Sequence, residues 1–247
     1  PQNRKRVPVK HFRCAKPLEP GAHVALIAPA GPLQKPEDLP RAQENTRTLG
    51  WEPIVAAHAT DRVGYLAGHD RDRLNDINRA LRDPNIDAIW CLRGGYGMMR
   101  ILSGIDYDAL SRMPKAIIGY SDVTALHAAV QRKCRLVTYH GPTARETLTE
   151  LSRDSLRRAV VEQADSCGVA PNAREINAGV AEGRLVGGNL ALLEVERHQL
   201  LVDFNVAMVV PQQSLRRSIK NVFKKTPGLS PKQVLSPWEV GGASEQF

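Results

Sequence analysis

The sequence predicts an α/β fold in which a parallel sheet carries helices on both faces. Three observations carry this reading. Short apolar runs alternate with segments of helical period between residues 24 and 164. Glycine- or proline-containing turns follow most of the runs, at Pro29–Gly31, Gly94-Gly95, Gly119 and Gly141-Pro142. The strand, loop and helix alternate at short spacing, the pattern of a parallel sheet. The ligand crevice of such a sheet lies beyond the carboxyl ends of its strands, so the loops at 29–36, 93–97, 119–122 and 140–142 are where chemistry is expected.

The elements follow in order. Val24–Ala28 is the first strand, stopped by Pro29 and Gly31, and a helix runs from about Glu37 to Leu49 with Gly50 as its C-cap. Ile54–Ala56 is a second strand. Leu74, Ile77 and Leu81 share one face of a helix over 69–82, which Asp83-Pro84 ends. Ala88–Leu92 reads as a buried strand and runs straight into Arg93-Gly94-Gly95-Tyr96-Gly97. Ala116–Ile118 is a short strand, followed by Gly119-Tyr120-Ser121-Asp122 and a helix over 123–131. Leu136–Tyr139 is one more strand, and a helix is expected over 152–164.

The chain has 247 residues, 42% apolar and 24% charged, and can bury a real core. No run approaches the roughly 18 apolar residues of a membrane span, and the basic N-terminus has no apolar segment behind it, so no secretory signal is read. The net charge of +8 is unevenly placed. Residues 1–16 carry six basic residues and no acid, residues 211–247 carry six against two, and residues 17–210 sum to −2. Any polyanion contact therefore belongs to the ends. Cys14, Cys91, Cys134 and Cys167 form no CxxC pair, which suggests reduced thiols in the cytoplasm. The histidines His11, His23, His58, His69, His127, His140 and His198 show no metal-ligand spacing. No metal and no cofactor is expected.

Ser121 sits between a strand and a helix, where a sharp turn exposes a hydroxyl and backbone N–H groups stabilise an oxyanion. The other reading is that Ser121 or Asp122 only caps the helix. Position 123 is Val, so the fuller GxSxG pattern is absent. The 93–97 loop either turns free amides toward an anion or makes a tight turn with Arg93 in solvent. It has neither GxxxxGK[ST] nor GxGxxG, so a phosphate loop is a poor fit. His140 lies at a strand end, whereas His127 is off the face of Ser121 and a poor base for it.

Pro17-Leu-Glu-Pro-Gly21, Val24-Ala-Leu-Ile-Ala-Pro-Ala-Gly-Pro32, Leu92-Arg-Gly-Gly-Tyr-Gly97, Ile118-Gly-Tyr-Ser-Asp122, His140-Gly-Pro142 and Gly183-Arg-Leu-Val-Gly-Gly-Asn-Leu190 come in one order. In that order they resemble the LD-carboxypeptidases, the muramoyltetrapeptide carboxypeptidases and their relatives in microcin C immunity, from about Pro17 to Leu193. The resemblance implies a flavodoxin-like N-terminal domain, a β-rich C-terminal domain and a possible homodimer. It implies a cytoplasmic serine peptidase that releases terminal D-alanine from murein tetrapeptide. Ser121 resembles the family nucleophile, and the amides of Gly95 and Asp122 its oxyanion hole.

The expected organisation is a basic leader over 1–16, an N-terminal domain over 17–165 and a linker over 166–180. The start of the C-terminal domain follows over 181–193, and a tail unlike the family over 194–247. The family takes a glutamate and a histidine from its C-terminal domain, and no segment after Leu193 matches them. Glu194, Glu196 and His198 are not at the family's positions. The C-terminal domain is therefore expected to be truncated and activity impaired, since a serine without a base is a weak nucleophile. Residues 214–235 resemble the end of an AraC-type helix-turn-helix, against which stands a frameshifted or recombined gene end. A non-catalytic peptide-binding module is one alternative. A basic-tail DNA-binding fusion, with weak, salt-sensitive contact, is another.

Overall fold

The computed structural model describes residues 12–167, residues 187–189 and 192, and two short strands at 208–209 and 234–235. The first strand, β1 (His23–Ile27), is followed by α1 (Asp38–Thr48), β2 (Glu52–Val55), α2 (Asp70–Arg82) and β3 (Ala88–Cys91). Then come α3 (Met98–Ile101), α4 (Tyr107–Arg112), β4 (Ala116–Gly119), α5 (Thr124–Cys134), β5 (Tyr139–His140) and α6 (Glu150–Arg157). The sheet has five parallel strands in the order β2-β1-β3-β4-β5.

Strand composition follows sheet position. Every residue of the central strands β3 and β4 is buried, because helices cover both faces. The edge strand β2 leaves Glu52 and Ile54 exposed. Val24, Leu26, Ala88, Trp90, Ala116 and Ile118 cluster with Ala42 of α1 and Leu156 of α6. The alternate residues Ala25, Ile27, Ile89 and Ile117 are buried on the opposite face, where Ile77 and Leu81 of α2 are also fully covered. Trp51 meets Trp90 edge to face at 6.2 Å, and the Trp90 indole donates to Pro142 O, fixing the loop after β5 to the core.

Two expectations shift. The strand expected at Leu136–Tyr139 forms at Tyr139–His140. Leu136 makes only an isolated bridge to Arg13, because Arg13 N and Val137 N bond across to Arg135 O and Arg13 O. The helix expected from 152 begins at Glu150, where the Thr149 hydroxyl accepts from Ser152 N, and passes at Arg158–Glu162 into a π-helical turn.

The chain divides into two compact units, one of residues 1–168 and 187–196, the other of 169–186 and 197–247. In the first, Asn189 N donates to the Thr124 hydroxyl at 2.9 Å. In the second, β6 (Met208–Val209) and β7 (Val234–Leu235) pair in parallel. Most of the expected linker, and the helix-turn-helix-like stretch before Val234, lie outside the described residues. Among the described residues no helix is long and apolar enough to cross a membrane.

Candidate active site

β4 ends at Gly119, which is tightly enclosed by side chains. A Cβ there would stand 3.1 Å from Cys91 Cβ and 3.2 Å from both Val123 methyls. The chain is extended at Tyr120 and then turns at Ser121 with φ +62°. An L-residue in the left-handed region costs about 1–2 kcal/mol, so this backbone is held in place by its surroundings. A 3-10 turn over Ser121–Val123 then leads into α5.

Three contacts hold the turn. Gly94 lies directly against it: a Cβ on Gly94 would stand 2.9 Å from Ser121 Cβ, 2.9 Å from Tyr120 O and 3.2 Å from Asp122 N. The Asp122 carboxylate is buried and accepts from Met98 N at 2.8 Å. Burial raises its pKa, while the Met98 amide and the Arg73 charge pull it down. Behind the turn, buried His127 donates from Nε2 to Gly119 O at 2.8 Å, its Nδ1 having no partner among the described residues. Burial depresses this imidazole to about 4, so it is neutral and occupied. It is no base for Ser121.

The 93–97 loop is anchored on both sides. Gly31 N donates to Gly94 O at 2.8 Å, and Arg93 Nη1 donates to Pro32 O at 2.6 Å. Gly95 has φ +104° and Gly97 φ +125°. Below them Arg73, 1% exposed, donates to Gly97 O at 3.0 Å and to Pro29 O, and pairs with Asp70. Asp70 also binds Arg100.

The structure thus brings Ser121, Asp122 and the Gly94-Gly95 backbone together. The cap reading finds no bond: neither the 3-10 turn nor α5 has a side-chain cap, and the Asp122 carboxylate goes to Met98 instead. Arg93 is tied to Pro32 rather than left in solvent. Ser121 Oγ makes no hydrogen bond among the described residues. His140 is exposed, its ring 6.2 Å from Tyr120 and 6.1 Å from His127. Glu194, Glu196 and His198 lie outside the described residues. Among the described residues no three ligating side chains gather into a metal site. Sequence reasoning missed Arg73 and the role of the Asp122 carboxylate.

Residues 24–141 match the model of the LD-carboxypeptidase N-terminal domain. The chain is 39% identical over 189 residues to a "putative carboxypeptidase" of Streptomyces coelicolor, covering 72% of this chain and 60% of that one. It is 37% identical over 185 residues to a "probable murein peptide carboxypeptidase" of Bacillus subtilis, covering 72% and 57%. The crystal structure of an MccF-like protein from Bacillus anthracis superposes with a TM-score of 0.58 at 30% identity, over 60% of this chain and 47% of that one. The matched region spans about 60% of the length of the curated relatives.

Proposed function

The chain belongs to the LD-carboxypeptidase family through its N-terminal domain, and on that premise we propose that Ser121 is the nucleophile of a peptidase releasing a terminal D-amino acid from murein peptide. Ser121 Oγ attacks the carbonyl carbon of the L-to-D amide. The amides of Asp122 and Gly95 hold the oxygen that becomes an oxyanion. The C–N bond breaks, the leaving amine takes the proton that the serine lost, and water then releases the acyl group. In the family the proton carrier is a histidine of the C-terminal domain; no segment of this sequence after Leu193 matches it, so turnover by this chain on its own is expected to be slow. Cytoplasmic action and a possible homodimer go with this reading.

The observation that carries it is Ser121 at φ +62° between β4 and α5, pressed against Gly94. A helix cap has no need of that strained backbone, whereas a nucleophile aimed out of a sheet edge does. A second reading rests on Ser121 Oγ having no partner among the described residues: the cradle binds the peptide without cleaving it. A fluorophosphonate probe separates the two. Labelling of the full chain that disappears in Ser121→Ala supports the nucleophile. Binding of murein tetrapeptide without labelling supports the cradle, and neither labelling nor binding sinks both.

A further inference from the structure

The loops around the Ser121 turn carry arginines that the reaction as described does not use. Arg93 lies in the loop after β3, against Gly31 and Gly95, and Arg145 lies in the loop after β5, with Arg62 and Arg41 bonded to backbone nearby. Arg62 donates to Leu33 O, and Arg41 to Arg145 O. Arg93 holds Pro32 O, and Arg145 meets Asp38, whose carboxylate accepts from Gln34 N and Lys35 N, so both guanidinium groups attach to the stretch from 32 to 38.

The carboxylate among them is Asp38, and it is already engaged. It is 1% exposed, accepts from Gln34 N and Lys35 N, and meets Arg41 at 3.7 Å and Arg145 at 3.4 Å. Glu146, next to Arg145, is bound by the Thr143 hydroxyl and hydrogen-bonds Tyr120. The buried Asp38 carboxylate meets two guanidinium groups, those of Arg41 and Arg145, while Arg93 holds the neighbouring Pro32 O. Arg145 Nε is buried with no hydrogen-bond partner among the described residues. A buried N–H of this kind is costly unless something accepts from it.

The position suits one part of the substrate. The Arg93 guanidinium carbon lies 3.8 Å from where a Cβ on Gly95 would stand, beside the proposed oxyanion amide. In a peptide cut at its last bond, the terminal carboxylate carbon is about 3–4 Å from the scissile carbonyl carbon. A carbonyl oxygen on the Gly95 amide therefore brings that carboxylate toward Arg93, and Arg145 lies next to Glu146, the partner of Tyr120. We propose that Arg93 and Arg145 form the receptor for the free terminal carboxylate of the peptide, so that the site accepts chain ends and rejects internal bonds. This rests on the reading of Ser121 given above and names the group that fixes where the cut falls. Guanidinium is the fitting partner, since its planar fork matches a carboxylate.

The test is calorimetric binding of murein tetrapeptide and of its C-terminal carboxamide to the full chain. The free acid is expected to bind about ten- to a hundredfold tighter, the range of a charge-assisted hydrogen bond. Arg93→Gln and Arg145→Gln each reduce the acid-to-carboxamide ratio, and the double variant brings it to one, whatever either variant does to the affinity for the carboxamide. Equal affinity of acid and carboxamide for the unsubstituted chain overturns the receptor while sparing the peptide reading. So does a preference that survives in the double variant. If the glutamine variants do not fold, the acid-to-carboxamide ratio of the unsubstituted chain decides alone. Absence of binding by both peptides, together with no D-alanine release, removes the underlying reading and the receptor with it.

Discussion

Gly94→Ala is the sharpest probe of the cradle. The new methyl would stand 2.9 Å from both Ser121 Cβ and Tyr120 O, and 3.2 Å from Asp122 N. Carbon contacts are favourable at about 3.5–4.0 Å, so the Ser121 turn and the 93–97 loop must separate by roughly 0.6 Å. Two of the struck atoms are backbone, which no rotamer change relieves. Overpacking of this kind costs about 1–3 kcal/mol, and the stiffer unfolded chain returns about 0.4–1 kcal/mol. The net expectation is a loss of about 1–2 kcal/mol in urea unfolding. The chemistry suffers more. A displacement of about 1 Å costs a reacting geometry about a hundredfold, so labelling of Ser121 by a fluorophosphonate, or D-alanine release, should fall about ten- to hundredfold. Gly141→Ala is the control, because its Cβ would meet only Ile118 Cγ2 at an ordinary 3.9 Å. It should change stability by less than about 0.5 kcal/mol. If Gly94→Ala unfolds like Gly141→Ala and Ser121 keeps its reactivity, the close approach of the two loops is not what holds the turn.

Three further outcomes follow from the same geometry. Arg73→Met strips donors from Pro29 O and Gly97 O and should cost about 1–3 kcal/mol in urea unfolding; Arg73→Lys should recover part, and a loss below about 0.5 kcal/mol would refute the clamp. His127 is held at about 4 in the folded chain against 6.5 unfolded, so the unfolded state takes up the proton first. Its contribution is complete above pH 6.5 and should fade by about 3 kcal/mol as pH falls toward 4. His127→Asn should flatten that part of a pH series of urea midpoints. Burial pushes the Cys91 thiol up to about 12 and raises Cys134, while Cys14 and Cys167 are exposed. Iodoacetamide at pH 8 should modify Cys14 and Cys167 of the native chain and spare Cys91 and Cys134, as read by peptide mass spectrometry.

Most of the sheet was legible because its determinants are local. Ala88–Cys91 and Ala116–Gly119 are apolar throughout, the first running into a glycine-rich loop and the second ending in glycine, and both became fully buried central strands. Tyr139–His140 was misplaced because its partner is decided at a distance, by where β4 ends. The short α3 and α4 were not anticipated. Met98–Ile101 is four residues long and depends on the Asp122 carboxylate at its first amide, which no local pattern encodes. Arg73 was hidden for a similar reason. It shares α2 with the apolar face of Leu74, Ile77 and Leu81, and an arginine in a charged helix reads as solvated. Its acceptors lie on two loops outside the helix.

The same division runs through the site. Local pattern left Ser121 open between a helix cap and an exposed hydroxyl, and Ser121, Asp122 and Gly95 were named as a set through the resemblance of their motifs to the family. The side chains that fix them are contributed across the fold. His127 holds Gly119 O from behind, the Asp122 carboxylate ties the turn to Met98, and Arg73 ties Gly97 to Pro29. All of these residues belong to the first unit. Strain at Ser121 is sustained only where the surroundings over-determine it, and the bonds from His127, the Asp122 carboxylate and Arg73 are surroundings of that kind. On the reading proposed above, the serine and the two amides are therefore oriented by side chains of the first unit that lie several residues or whole elements away in sequence.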